Sequence, residues 1–293
     1  MMNKNVGNRT QVVLLACGPF NPITNMHLRM FELARDHLES TGRYQVEKGI
    51  ISPVGDGYKK KDLTAAWHRV EMARLATESS TWITVDDWES QQSEWVETAK
   101  VLWHHHDKLL GENNQEEQDT VMSEKTTLEG SEVEWESVSL GHSTDVPKLN
   151  LLCGADLLES FGVPNLWSPE DIAEIVGSYG VVVISRCSSD AEKFITQSEL
   201  LHQHRENIHI VREWVTNDIS STLVRQTLCR RQSVRYLLPD SVVDYIQDRH
   251  LYSKKQEEKK AHNTLTAQRY STEIVYITQD LFSVTEEDES QPD

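Results

Sequence analysis

Six short apolar runs, over residues 12–16, 46–51, 82–85, 149–153, 181–184 and 208–211, constrain this chain more than any other feature. Runs such as Val12-Val13-Leu14-Leu15-Ala16 lack the polar alternation of a half-solvated strand and read as strands buried on both faces. Between the runs lie helical patterns at 26–38, 65–77, 93–110, 169–176 and 222–230. Strands alternating with helices predict an α/β fold, a parallel sheet with helices on both faces. A last helix over 241–250 is expected to pack on the rear as a small C-terminal helical part. The predicted domain therefore runs over 10–252.

The alternation breaks once. Residues 111–148 are polar, lack a period and hold ten acids against two lysines, a net of −8. They read as a disordered acidic insertion on a surface loop. Residues 253–293 hold nine acids against five bases, a net of −4, and read as a flexible tail. The 293-residue chain carries −18 in all, so most of its acidity sits in these two parts. That balance disfavours nucleic acid but allows a local basic pocket for a small phosphorylated ligand. No apolar run approaches the roughly 20 residues of a membrane span. Met1, Met2, Asn3, Lys4 and Asn5 lack the regions of a secretory signal. Cys17, Cys153, Cys187 and Cys229 have no metal-ligand spacing and read as free thiols.

The chemistry concentrates in two distant stretches. Gly18-Pro19-Phe20-Asn21-Pro22-Ile23-Thr24-Asn25-Met26-His27 follows the first strand, turns at Gly18 and puts His27 in the first turn of a helix. Such a strand, turn and helix N-terminus make an anion site, because free N–H groups and the helix dipole converge there. At that point the His27 imidazole can donate to a triphosphate and stabilise charge developing on transfer. Ile219-Ser220-Ser221-Thr222-Leu223-Val224-Arg225 opens another helix with three hydroxyls, more than capping requires. Thr222 and Arg225 share a helix face, and the Arg225 guanidinium forks onto β- or γ-phosphate oxygens. Two phosphate sites predict transfer of a phosphoryl or nucleotidyl group.

Weaker signals stand around these. The loop over 52–61 leaves the second strand where α/β proteins bind ligands, and Lys60 or a neighbour can reach a phosphate there. Trp95 and Thr98 fall on one face of the expected helix. Two tryptophans, Trp88 and Trp95, in so polar a stretch point to a stacking wall for a flat ring. Cys153-Gly154-Ala155-Asp156 ends the fourth strand with a glycine for close approach and a carboxylate. His104-His105-His106 reads as a solvated helix end, since successive helical residues splay by about 100° and cannot share one metal ion.

Together these residues resemble the nicotinamide/nicotinate mononucleotide adenylyltransferases, nucleotidyltransferases with a His-containing phosphate loop, over nearly all of 10–110 and 149–252. The resemblance implies a Rossmann-like nucleotidyltransferase fold. It implies joining of nicotinamide mononucleotide, or nicotinate mononucleotide, to the AMP part of ATP, giving NAD or deamido-NAD and pyrophosphate. Mg²⁺ is implied as cofactor, held mainly by the ATP phosphates, with Asp156 reaching it through water. Catalytic roles fall to His27 and Arg225. Gly18, His27, Lys60, Thr222, Leu223, Val224 and Arg225 go to ATP. Gly18, Pro19, Phe20, Trp95, Thr98, Gly154, Asp156, Leu166, Trp167, Glu213 and Asn217 go to the mononucleotide, with Trp95 stacking on the pyridine ring. A homo-oligomer without nucleic-acid or membrane partners is also implied.

The stretch over 154–167 is most similar to the nuclear animal form, which implies the nucleus. The cytoplasm is the alternative, because nuclear relatives carry a basic cluster where this insertion is acidic. The cysteines acylated in the Golgi-associated form are absent from it as well. Pro19 stands where the family usually has Ser, so the loop lacks a hydroxyl and a backbone N–H. Weaker mononucleotide binding follows, by about 1–2 kcal/mol for one lost phosphate hydrogen bond. No Ser or Cys is placed as a nucleophile, so in-line displacement by positioning and charge stabilisation is expected. Two rival readings are a transferase using phosphopantetheine or a phosphoalcohol, against which Trp95 argues, and a non-catalytic or chaperone-like protein of the same fold, which only Pro19 supports.

Overall fold

The computed structural model describes residues 9–125, 146–185, 190–215 and 217–253, with side chains throughout except at 113–125. Six strands form one sheet: β1 (Thr10–Gly18), β2 (Tyr44–Pro53), β3 (Ile83–Val85), β4 (Lys148–Gly154), β5 (Val181–Ser185) and β6 (Ile208–Arg212). Their order is β3-β2-β1-β4-β5-β6 and every neighbouring pair is parallel. The chain winds outward from β1 to β3, returns beside β1 as β4, and winds outward the other way. Ligands of such Rossmann-like sheets lodge beyond the strand C-termini where the winding reverses, here between β1 and β4.

The described helices are α1 (Asn25–Ser40), α2 (Ala66–Thr77), α3 (Thr98–Lys125), α4 (Ala155–Ser160), α5 (Pro169–Glu174), α6 (Ala191–Gln197), α7 (Glu199–Gln203), α8 (Ser221–Cys229) and α9 (Asp240–Asp248). The central strands alternate between two cores, as their apolar runs require. Val12, Leu14 and Ala16 of β1 face a core that takes in Phe31 of α1, Met72 of α2, Val224 of α8 and Val242 of α9. Val13 and Leu15 face the other, with Leu102 of α3, Leu158 of α4, Ile172 of α5, Ile195 of α6 and Leu201 of α7.

All six predicted strands are present, and the expected helices differ chiefly at their ends. The helix expected over 93–110 starts at Thr98 and its backbone continues to Lys125, so the first part of the 111–148 insertion is helical rather than disordered. Residues 126–145 of that insertion lie outside the described residues, as does the tail from 254 onward. The helix expected over 169–176 widens at its end into a π-helical turn at Ile175–Tyr179. Short α4, α6 and α7 were not anticipated. The expected C-terminal helix is present as α9 and packs on α2, and the chain behind it reaches the candidate site.

Candidate active site

At the C-terminal ends of β1 and β4 lies a cavity of about 540 Å³. Gly18, Pro19, Phe20 and His27 line it from the first loop and α1, Gly154 and Asp156 from the end of β4, Thr222 and Arg225 from α8. Lys60 and Lys61 line it from the loop after β2, which settles which lysines of that run face inward. The two stretches that looked like phosphate sites thus meet at one cavity.

The His27 ring is oriented by its own helix start. Its Nδ1 accepts the Thr24 backbone N–H at 2.9 Å and lies 2.9 Å from Thr24 Oγ1, closing a capping box in which His takes the usual Glu or Gln position. Because Nδ1 accepts an N–H, the neutral ring carries its proton on Nε2. Phe20 packs edge-on against the ring at 5.2 Å. Phe20 itself has φ 39°, a left-handed backbone that a bulky residue adopts only where its surroundings hold it.

Those surroundings are a set of long-range clamps. The main-chain carbonyl of Asn21 accepts Arg225 Nη1 at 2.8 Å. Its side-chain oxygen accepts the Tyr252 hydroxyl at 2.7 Å and the Thr64 N–H at 3.3 Å, while its Nδ2 donates to the Asp62 carbonyl at 3.0 Å. Arg69, fully buried in α2, donates to the carbonyls of Pro19 (3.0 Å), Val54 (2.6 Å) and Thr64 (2.7 Å). Burial pulls the Arg69 guanidinium below its ordinary range, and neighbouring Asp56 at 3.4 Å pushes back. One buried cation therefore joins the first phosphate loop to the lysine loop. Sequence reasoning missed it. The signal was an arginine one turn from buried Ala66 and Ala73, inside an apolar helix face.

The hydroxyl run on α8 resolves into separate tasks, two of them structural. Ser220 caps the helix by accepting the Leu223 N–H at 3.2 Å. Ser221 donates to the Pro22 carbonyl at 2.7 Å and ties α8 to the first loop. Thr222 Oγ1 lies 3.4 Å from Arg225 Nη2, on the shared face expected. Val224 is fully buried in the core and Leu223 points away from the cavity lining, so neither side chain reaches it.

The glycine before Asp156 makes room for the present position of its carboxylate. A Cβ on Gly154 would stand 2.5 Å from Asp156 Oδ1, so the carboxylate folds back over the strand end only because position 154 is bare. Behind the cavity wall, buried Glu89 accepts the Ser52 hydroxyl at 2.6 Å. Burial lifts its carboxyl to about 7 against the opposing pull of Ser52 and Arg69. Burial also raises the thiols of Cys17 and Cys153, which line the cavity as free cysteines. They are protonated, inert walls at neutral pH.

The remaining expected residues stay outside the cavity lining. Trp95 is not helical: it precedes α3 in a segment without regular structure and is half exposed, so the shared helix face with Thr98 does not exist. Its backbone instead packs on Gly57, where a Cβ would meet Trp95 N at 2.6 Å. Trp167 packs edge-on against Phe161 and donates its indole N–H to Ser160 at 3.0 Å, while Leu166 is exposed. Glu213 is buried, accepting the Val215 N–H at 3.1 Å and pairing with Arg29 at 3.4 Å. Asn217 accepts the Ile219 N–H in a local turn. The histidine run is not solvated either: His104 stacks on Trp88 at 3.8 Å and His105 is 1% exposed.

A doubly wound parallel sheet with two helix starts, bearing His27 and Arg225, meeting at its switch point is the architecture of a Rossmann-like α/β protein with a ligand cavity at that point. The cytidylyltransferase-like family model matches residues 15–227. The chain is 53% identical to nicotinamide/nicotinic acid mononucleotide adenylyltransferase 1 of Bos taurus, over 91% of this chain and 98% of that one. It is 42% identical to the nicotinamide/nicotinic acid mononucleotide adenylyltransferase of Arabidopsis thaliana, over 85% and 93%. To the nicotinamide-nucleotide adenylyltransferase of Drosophila melanogaster it is 46% identical, over 83% of this chain but 61% of that longer one. The chain belongs to the nicotinamide/nicotinic acid mononucleotide adenylyltransferase family. Among the described residues no helix is long and apolar enough to cross a membrane.

Proposed function

We propose that this protein transfers the adenylyl group of ATP to nicotinamide mononucleotide, and to its nicotinate analogue, forming NAD or deamido-NAD. A 5′-phosphate oxygen of the mononucleotide attacks the α-phosphorus of ATP, the bond from that phosphorus to the bridging oxygen breaks, and pyrophosphate leaves. The observation that carries this reading is the convergence of His27 and Arg225 on one cavity in a chain half identical to a bovine adenylyltransferase.

The chain's own groups supply positioning and charge. His27 presents Nε2–H to an ATP phosphate oxygen, its ring held from behind by the Thr24 N–H. Arg225, held by the Asn21 carbonyl, offers its remaining donors to the β- and γ-phosphates. Lys60 and Lys61 add positive charge on the facing wall. Fixed donors aimed at developing charge are the largest single term in such transfers. Asp156 and Glu159 give the rim hard carboxylate oxygens, a donor set that fits Mg²⁺ shared with substrate phosphates. Bound Mg²⁺ supplies charge neutralisation at the leaving pyrophosphate.

The test is a coupled assay with ATP, Mg²⁺ and each mononucleotide, reading NAD through a dehydrogenase. NAD formed by the chain and lost in His27→Ala supports the reading. ATP binding without product from either mononucleotide overturns it in favour of a non-catalytic protein, with Pro19 the suspect. The likeness to the nuclear animal form supports a nuclear location, which imaging of a fluorescent fusion tests. Assembly as a homo-oligomer belongs to the same proposal, and light scattering on the purified chain tests it.

A further inference from the structure

Glu89, the first residue of a 3₁₀ turn at Glu89–Gln91, carries a buried carboxyl behind the nucleotide cavity. The residue is 3% exposed, and its Oε2 accepts the hydroxyl of fully buried Ser52 at 2.6 Å. Ser52 stands beside Cys17 in the β1–β2 ladder, and Cys17 lines the cavity, so the carboxyl hangs from the strand next to that wall. The main chain of residues 89–95 also backs the lysine loop. A Cβ on Gly55 would stand 3.1 Å from the Glu89 carbonyl oxygen, and one on Gly57 would meet Trp95 N at 2.6 Å. Two bare positions thus let the loop with Lys60 and Lys61 lie against the segment that ends in Trp95. Among the described residues Glu89 has no ion pair: buried Arg69 pairs with Asp56 and donates to the carbonyls of Pro19, Val54 and Thr64. Protein interiors rarely hold an acid without a cation beside it.

We propose that Glu89 is a positioning residue for the mononucleotide and acts as the neutral acid, clamping the Trp95 segment to the end of β2 without setting a negative charge behind the phosphate wall. The proposal rests on the adenylyl-transfer reading. Loss of the proton works against the substrate in two ways. A buried carboxylate repels a phosphate across the low-dielectric wall, and it draws on Arg69, which holds the Pro19 carbonyl. Burial lifts the carboxyl to about 7, against the pull of Ser52 and Arg69. Arg69 from α2 and the Cys17 thiol from β1 are the titratable groups that face it. On its own segment Asp86 and Asp87 are taken up by Lys108 and Arg74. A bound phosphate anion favours the neutral acid further, so binding of the mononucleotide takes up a proton.

The test is the mononucleotide KM of the full chain at saturating ATP and Mg²⁺, followed from about pH 6 to about pH 8.5. In the unaltered chain KM should rise by about tenfold as pH passes 7, the equivalent of about one unit between the free and the occupied carboxyl. Glu89→Gln keeps an oxygen for the Ser52 hydroxyl but cannot ionise, and its KM should not take part in that rise. Glu89→Ala removes the clamp and should raise KM at every pH. The substrate phosphate, which titrates near about 6, contributes equally to all three. Calorimetric titration with nicotinamide mononucleotide at about pH 7.5, in two buffers of different ionisation enthalpy, should show more proton uptake by the unaltered chain than by Glu89→Gln. The same rise of KM in Glu89→Gln, or equal proton uptake in the two chains, overturns the proposal. Absence of NAD at every pH overturns the adenylyl-transfer reading instead, and the calorimetric comparison then decides Glu89 alone. Glu89→Gln carries the decision if Glu89→Ala fails to fold.

Discussion

The loops proposed to meet phosphates are built in the opposite way to the Trp95 and Leu166–Trp167 segments, of which Trp95 is expected to stack on the pyridine ring and the other two to line the mononucleotide pocket. Around Pro19 and Asn21 every turn is tied to a distant part of the chain, by Arg69, Tyr252, Arg225 and Ser221. Trp95 and Leu166 are half exposed or more, and the side chain of Trp167 bonds only within its own neighbourhood. The difference teaches where preorganisation is placed. Donors aimed at developing charge gain most when they need not move during reaction, whereas a flat ring can be covered by side chains that close on it. The loop half is therefore braced by long-range hydrogen bonds, while the Trp95 and Leu166 side chains are left exposed.

The severest way to break the contrast is Arg69→Met. It leaves three main-chain carbonyls without their buried donor, and about 3 kcal/mol or more of stability should be lost, read as a lower urea midpoint together with collapse of activity. His27→Ala should keep the midpoint within about 1 kcal/mol, the worth of a cap. Turnover should nevertheless fall by about 10²–10³-fold, as for a lost transition-state donor; matching losses of fold and rate would return His27 to a capping role. Pro19→Ser restores a hydroxyl and an N–H to the cavity lining, and the mononucleotide KM should fall by about 5–30-fold, the equivalent of about 1–2 kcal/mol. An unchanged KM would place the mononucleotide phosphate elsewhere. Trp95→Ala should raise that KM by roughly tenfold through lost stacking, with the urea midpoint nearly unmoved because the side chain is half exposed. A large stability loss would show the ring half to be as prebuilt as the phosphate half.

The gentlest probe is pH. His105 and His209, each pushed down to about 4 by burial, gain protons in the unfolded chain first. Their contribution is complete above about pH 6.5 and is lost as pH falls toward 4. Glu89, raised to about 7, acts oppositely: its contribution is complete below about pH 4.5 and is lost as pH rises through 7. Between those limits the two histidines outweigh Glu89, and His37, His68 and His104, also lowered by burial, act in the same direction, so stability should fall on acidification by about 1.4 kcal/mol per unit or more. His105→Phe should flatten that slope in urea titrations at stepped pH, and a slope of opposite sign would deny the histidines their buried, neutral state.

The strands were legible in the sequence because continuous apolar runs of strand length have few other readings. Helices α4, α6 and α7 were not, since each is too short to show a period. The start of α3 lies at Thr98 rather than at 93, because the polar stretch before it holds no feature that marks where the helix begins, and the Trp95 backbone lies instead against Gly57. His105 was misread among three histidines. It continues the buried stripe of Val101, Leu102 and Leu109, a spacing visible in the sequence but masked by polarity. His27, Thr222 and Arg225 were found because each opens a helix after a strand. Their supports, Arg69, Asn21 and Tyr252, act through tertiary contacts between residues as much as 231 apart, which no local pattern encodes.

That longest contact has a consequence during synthesis. Tyr252 braces a loop that begins at residue 19, so that loop lacks one of its braces until residue 252, more than 200 positions later, has been made. A chain cut short ahead of Tyr252 would carry His27, Thr222 and Arg225 and still lack the hydroxyl that braces Asn21 between them, so loss of activity on such a truncation is the expected outcome.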